Sequence, residues 1–214
     1  DLTRSRGLGD VYKRQGPSFS NEVSQSLPTA VTLATKDKKD FENISKLIPN
    51  KEFRIYYSND LIGTQIGGAL KNIYAIAAGI AEGLNLGENA KSALISRSFA
   101  EMTRYAKKFK ANKNTLFGLS GLGDLILTCS SKNSRNTQFG IKLASSKYDN
   151  FLDLLKSQEV TEGYYTVKAV YNISQKKNID MPIMESVYNI LYKQHDLKEE
   201  LSNLLSRPIT EEKI

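Results

Sequence analysis

Two separated clusters in this 214-residue chain carry groups that could do chemistry together. Lys71 and Asn72 stand side by side in an apolar, Gly/Ala-rich stretch, and Gly121-Leu122-Gly123-Asp124 is followed closely by Ser134-Arg135-Asn136. An amine can move a proton, a carboxylate beside it can set its charge, and a Ser/Arg/Asn group is suited to a phosphate. That is the equipment of a site for a small phosphorylated alcohol or ketone. No complete glycine-rich nucleotide fingerprint accompanies it, because Gly7-Leu8-Gly9 has Tyr12 where the third glycine would stand.

Each group also has a plainer reading. Thr64, Gly68, Lys71, Ala75 and Ala78 are spaced by four, three, four and three, so on a helix they share one face of small residues with a single ammonium. That face either admits a ligand or packs a neighbouring helix and leaves Lys71 at the surface. Ser120 reads as an N-cap, with Asp124 in the first turns of the helix that follows; Asp124 then either complements the helix dipole or partners Lys71. Ser134-Arg135-Asn136 precedes a helix whose free N–H groups could take an anion, or else Ser134 or Asn136 is an ordinary cap. Gly16-Pro17-Ser18-Phe19-Ser20 is a small-residue turn with hydroxyls that could face a ligand. The one histidine, His195, lies between Gln194 and Asp196 and reads as a solvated surface residue, so histidine-rich metal sites are excluded and no metal is expected. The one cysteine, Cys129, reads as a core or pocket-lining thiol and permits no internal disulfide.

These residues need elements to hold them. From Gly16 to Asp60 the pattern is α/β. Thr29–Ala34 is a β-branched run read as a strand, Phe41–Ile48 has helical spacing and stops before Pro49, and Phe53–Tyr57 is a second strand. Strand, helix and strand make the closing piece of a larger sheet rather than a domain. No proline occurs between Pro49 and Pro182, and from Leu61 on the apolar residues recur at three and four. Ile62, Ile66, Ala69, Ile73, Ile76 and Ile80 form one stripe; Leu94, Ile95, Phe99, Met102, Ala106 and Phe109 form another. Further helices are expected near 136–145, 149–157, 163–177, 182–193 and 197–205. Residues 1–15 are polar and basic without a clean period, resemble translated adapter sequence from environmental assemblies, and are set apart as non-native.

A formal charge of +7, with 40% hydrophobic and 25% charged residues, describes a globular protein whose basic surface either simply favours solubility or attracts small anions. The lysines and arginines are dispersed and no nucleic-acid reader motif is visible. The stretch Leu61–Ala81 is long and apolar, but Gln65, Lys71 and Asn72 in its body argue for a buried helix and against a membrane span. One cysteine and no secretory leader favour the cytoplasm.

The order of the motifs is more specific than any one of them. Gly16-Pro-Ser-Phe, Ile66-Gly-Gly-Ala-Leu-Lys-Asn-Ile, Ala81-Glu-Gly, Ala100-Glu-Met-Thr-Arg, Leu119-Ser-Gly-Leu-Gly-Asp-Leu-Ile-Leu-Thr-Cys, Ser134-Arg-Asn and Val160-Thr-Glu-Gly together resemble the bacterial-type NAD(P)-dependent glycerol-3-phosphate dehydrogenases. The resemblance runs from Gly16 nearly to the end. It implies a fold class: an α/β remnant of a Rossmann-type cofactor domain (16–60) followed by an all-α substrate and catalytic domain (61–214). It implies that Lys71 is the proton acceptor, and that Gly16, Ser18, Lys71, Asp124, Ser134, Arg135 and Asn136 contact the substrate. Ser20, Arg135, Val160 and Glu162 would contact the cofactor, NAD(P)H. The partners implied are dihydroxyacetone phosphate or glycerol 3-phosphate and, as an open option, a second copy of the chain, with no nucleic acid. The family feeds phospholipid synthesis. Because most of the cofactor domain is absent, this C-terminal fragment is expected to turn over little by itself. Two alternatives stand beside it. The 3-hydroxyacid dehydrogenases place an asparagine four residues after their lysine, where this chain has Ala75; the other is a basic helical interaction module.

Overall fold

The computed structural model describes residues 12–48, 51–145, 161–208 and 211. It opens with β1 (Tyr12–Gln15), a short α1 (Ser20–Ser24), β2 (Thr29–Thr35), α2 (Lys38–Lys46) and β3 (Phe53–Ser58). The strands form one sheet in the order β1-β2-β3. β1 runs antiparallel to β2, with Gln15 opposite Thr32, and β2 runs parallel to β3, with Thr29 opposite Phe53. β2 is the middle strand, so it is buried on both faces, with Val31 and Ala34 fully enclosed; β3 is only half covered.

Two details differ from the sequence reading. Tyr12–Gln15, set apart above with residues 1–15, are a paired edge strand, so the α/β portion begins four residues before Gly16. A polar edge strand that touches one neighbour and alternates between exposed and half-buried shows little hydrophobic period. α2 also starts earlier than Phe41, because the Asp37 carboxylate accepts the Lys39 N–H at 2.8 Å and caps the helix there.

Asp60 marks the passage from sheet to helices. Its Oδ1 accepts the Gly63 N–H, which starts α3 (Leu61–Gly83), and its Oδ2 accepts the Asn112 N–H, at 2.8 Å each. α3 spans 23 residues, about 35 Å at 1.5 Å per residue, and is the axis of the helical part. Leu70, Ile73, Tyr74, Ala75, Ile76 and Ala78 are all fully buried. A helix apolar all round belongs at a centre, which is why its sequence looked long enough for a membrane. Among the described residues no helix is long and apolar enough to cross one.

The remaining helices wrap this axis: α4 (Gly87–Lys108), α5 (Lys113–Phe117), α6 (Asp124–Ser130), α7 (Arg135–Ser145), α8 (Glu162–Lys177), α9 (Pro182–Lys193) and α10 (Leu197–Leu205). α7 makes the closest approach. A Cβ on Gly79 would run into the Thr137 carbonyl, and one on Gly140 into the Ile76 carbonyl, so the two backbones meet only because both are glycines. The start of α9 is held from a distance. Pro182 occupies the first turn, as expected, and the buried Glu101 carboxylate of α4 accepts the Ile183 N–H (2.6 Å) and the Met184 N–H (3.2 Å). α8 and α9 are zipped by stacked rings, Tyr171 on Tyr188 at 3.8 Å, then Tyr188 on Tyr192 and Tyr192 on Tyr164, and the Tyr192 hydroxyl donates to the Tyr164 carbonyl at 2.8 Å. The helix expected near 149–157 lies outside the described residues.

Candidate functional site

The two sequence clusters meet. Lys71, on the third turn of α3, places its Nζ 2.7 Å from both carboxylate oxygens of Asp124 on α6. The Asp124 side chain is 2% exposed and that of Lys71 18%, so the carboxylate is sealed while the ammonium keeps one open side. Of the small-residue face, Thr64, Ala75 and Ala78 are packed under neighbouring elements; Gly68 and Lys71 are the members that reach the cleft.

The helix carrying Asp124 begins differently from the expectation. Ser120 is not its N-cap. A single π-helical turn, Leu119–Gly123, runs straight into α6, and the buried Ser120 hydroxyl has no hydrogen-bond partner. The glycines allow this wide turn to lie against α3: a Cβ on Gly67 would meet the Ser120 carbonyl. Asp124 is therefore held by side chains. Besides Lys71, it accepts from Gln15 Nε2 at 3.0 Å and from Thr128 Oγ1 at 3.4 Å. Burial pushes its carboxyl up from the ordinary range, against the downward pull of the Lys71 ammonium, Gln15 and Thr128.

Ser134 does cap α7: its Oγ accepts the Thr137 N–H at 3.2 Å. The start of a helix leaves its first N–H groups without intrahelical acceptors, and α7 turns that end toward the cleft through Ser134 and Asn136. The Asn136 side chain turns inward, donating to Asn72 Oδ1 at 3.1 Å and accepting the Gly163 N–H at 3.0 Å. Asn72 in turn donates to Glu162 Oε2 at 2.9 Å.

All these groups line one cleft of about 810 Å³, a size suited to a small molecule. Its floor is Lys71, Asn72 and Asp124. One wall is the Gly16–Ser20 turn, with Gly16, Ser18 and Ser20; the other is Ser134, Arg135, Asn136 and Glu162. Arg14, Lys71 and Arg135 outnumber Asp124 and Glu162 along it, so the cleft favours an anion. Val160 lies outside the described residues. Gln15 and Thr128 were not singled out from the sequence. Thr128 was detectable as the residue one helical turn after Asp124; Gln15 gave no local signal. Cys129 is buried beneath the site with its thiol pushed up to about 12 by desolvation, and His195 pairs with Glu200 at 2.7 Å elsewhere. No cluster of metal-ligating side chains occurs among the described residues. A second hollow, of about 730 Å³ between α4, α9 and α10, is lined mainly by aliphatic side chains and holds none of these residues.

Residues 60–202 match the model of the NAD-dependent glycerol-3-phosphate dehydrogenase C-terminus. The chain belongs to that family. It is 46% identical over 198 residues to the glycerol-3-phosphate dehydrogenase [NAD(P)+] of Solidesulfovibrio magneticus and 44% identical to that of Francisella tularensis, in each case over 92% of this chain and 59% of the relative. The crystal structure of glycerol-3-phosphate dehydrogenase from Coxiella burnetii superposes with a TM-score of 0.87 at 38% identity, over 92% of this chain and 60% of that one. The chain thus spans about 59% of the length of the curated relatives it matches. The family match encloses Lys71, Asp124, Ser134, Arg135, Asn136 and Glu162, and leaves Gly16, Ser18 and Ser20 before its start.

Proposed function

We propose that the protein to which this chain belongs interconverts sn-glycerol 3-phosphate and dihydroxyacetone phosphate with NAD(P)H, in the cytoplasm, feeding phospholipid synthesis. The observation that carries the reading is the pairing of Lys71 with a sealed Asp124 at the floor of a basic cleft. The α/β part through Ser58 is then the end of the cofactor domain, and the helices from Leu61 form the substrate domain. A homodimer belongs to the same reading, and sedimentation velocity measures it.

The residues fit the phosphate first. The start of α7 offers backbone N–H groups, and Arg135 adds a charged fork beside the Ser134 hydroxyl. Ser18 and the Gly16 backbone stand across the cleft. A phosphate held there leaves C2 of a three-carbon substrate toward Lys71. In reduction the ammonium polarises the C2 carbonyl and delivers a proton to its oxygen; in oxidation the amine removes the hydroxyl proton. Asp124 holds the amine in place, with both carboxylate oxygens 2.7 Å from Nζ. Ser20, Arg135, Val160 and Glu162 lie on the cofactor's side of the reading; a bound NAD(P) supplies or accepts the hydride at C2. The cleft lining at Ser20 and Glu162 is where the nicotinamide end would stand.

The test is titration of the 15N-labelled chain with dihydroxyacetone phosphate. Selective shifts at Gly68, Asn72, Arg135 and Asn136, reversed by glycerol 3-phosphate, support the reading. Equal binding of a 3-hydroxy acid without phosphate, or binding to DNA with a steep salt dependence and none to the phosphates, overturns it.

A further inference from the structure

The hydrogen bonds around Asn72 close on themselves. The Gly163 N–H donates to Asn136 Oδ1 (3.0 Å), Asn136 Nδ2 donates to Asn72 Oδ1 (3.1 Å), and Asn72 Nδ2 donates to Glu162 Oε2 (2.9 Å). The Glu162–Gly163 peptide completes the circuit, which ties α3, α7 and the first turn of α8 together.

Chemistry fixes its direction. A carboxylate only accepts, so Asn72 must turn its Nδ2 to Glu162; its Oδ1 then faces Asn136, which must answer with Nδ2. Asn136 Oδ1 is left facing a backbone N–H, which only donates. Turning over either amide sets two acceptors or two donors face to face. Asn72 and Asn136 are 6% and 8% exposed, so water is a poor substitute for a lost partner. The circuit also dictates the glycine. A Cβ at position 163 would stand 2.6 Å from the Asn72 carbonyl oxygen and 2.7 Å from Asn136 Oδ1.

We propose that Asn136, through its side chain, and Gly163 are positioning residues: they lock Asn72, and with it the helical turn bearing Lys71, in register with Glu162 on the first turn of α8. The inference rests on the functional reading above for what Lys71 and Glu162 do, but the circuit can be tested apart from it.

Asn136→Asp keeps the shape and replaces the Nδ2 donor by an acceptor. Asn72 must then lose that bond or turn over, which sets its carbonyl against the Glu162 carboxylate. Adding Glu162→Gln reverses the bonds of Asn72 without loss: its Nδ2 donates to the new carboxylate at position 136, and its Oδ1 accepts from the new side-chain amide at position 162. Adding Glu162→Ala instead restores the net charge but supplies no donor. The measurements are exchange of the Asn72 side-chain amide protons, their resonances, and the unfolding equilibrium in urea. N136D leaves the Gly163 N–H its acceptor and is expected to speed Asn72 side-chain amide exchange and lower the folding equilibrium constant, each by about tenfold, the effect of one buried hydrogen bond. N136D/E162Q should recover both to within about threefold of the parent, with the Asn72 amide protons shifted to new positions, and N136D/E162A should not. If N136D does not fold, recovery of the fold in N136D/E162Q but not in N136D/E162A supports the circuit. Additive losses in N136D/E162Q, equal rescue by both second changes, or unchanged Asn72 side-chain amide exchange in N136D overturns it. Failure of the parent chain to bind dihydroxyacetone phosphate counts against the functional reading alone, since the exchange and resonance data still decide the circuit.

Discussion

Lys71 Nζ lies 2.7 Å from each carboxylate oxygen of Asp124, a residue 53 positions later and on another helix. The pair is lopsided: the carboxylate is enclosed and the ammonium partly open. An ion pair with one free face can lend its proton to a third group and recover it. A fully enclosed pair could not reach a substrate, and a fully exposed one would be screened by water.

Lys71→Ala removes the ammonium from the floor of the cleft. In an enzyme completed by joining this chain to the N-terminal portion of the Solidesulfovibrio relative that it does not cover, kcat for dihydroxyacetone phosphate reduction should fall by roughly 10²–10⁴. Steady-state kinetics at saturating substrate measures it, and a loss below about threefold, the Michaelis constant unchanged, would remove Lys71 from the reaction.

Arg135→Ala should act on the phosphate. Affinity for dihydroxyacetone phosphate is expected to drop by about tenfold or more, the worth of a charge-assisted hydrogen bond. The salt dependence of binding should flatten in the variant, because a charge that meets the anion has gone. Isothermal titration at two ionic strengths reads both.

Glu101 makes stability depend on pH. Its carboxyl is raised from 4.5 to about 7, first by burial, with the Ile183 and Met184 N–H groups pulling it back down. The folded chain therefore binds a proton more tightly than the unfolded chain does. The stabilisation is fully present below about 4.5 and is lost as pH rises through about 7. Compared with Glu101→Gln, which does not titrate, the parent should lose on the order of 3 kcal/mol of unfolding free energy between pH 4 and pH 8. Urea melts of both chains across that range measure the difference, and parallel curves would show that the carboxyl does not titrate with folding.

Gly140→Ala tests the contact that brings the second cluster to the first. The new methyl meets the Ile76 carbonyl, so α7 must back away from α3. An overpacking cost of about 1–3 kcal/mol is expected. Because α7 begins at Arg135, the retreat should also weaken phosphate binding, whereas Gly87→Ala, strained at φ +86° and away from the cleft lining, should cost stability and leave binding alone. Chemical denaturation paired with ligand titration separates the two effects.

Local chemistry made much of this molecule legible before any coordinates. Helical period located α3, α8, α9 and α10 closely, since a buried stripe must recur at three and four, and found α4 only from Leu94 on, because its first turns from Gly87 are polar. Pro182 announced the start of α9, and of the two caps open for α7, Ser134 and Asn136, the structure uses Ser134, because caps and first-turn prolines act within one turn. The motif order named the residues worth watching, and Lys71, Asp124, Ser134, Arg135, Asn136 and Glu162 do share one cleft. What failed was nonlocal. β1 is recognisable only from its pairing with β2, and the π-helical turn at Leu119–Gly123 depends on glycines meeting the backbone of α3 and α5. The amino-acid sequence by itself determined the long helices and which polar residues sit in them, though not the five-residue α1 and α5, because propensity, capping and periodicity are properties of short stretches that need more than one turn to show. Only the tertiary structure decided that an amine and a carboxylate 53 residues apart are joined, that Gln15 and Thr128 attend the carboxylate, and that the amide of Asn136 faces inward. Those are distances between elements, set by how closely glycine lets helices approach, and no local pattern encodes them.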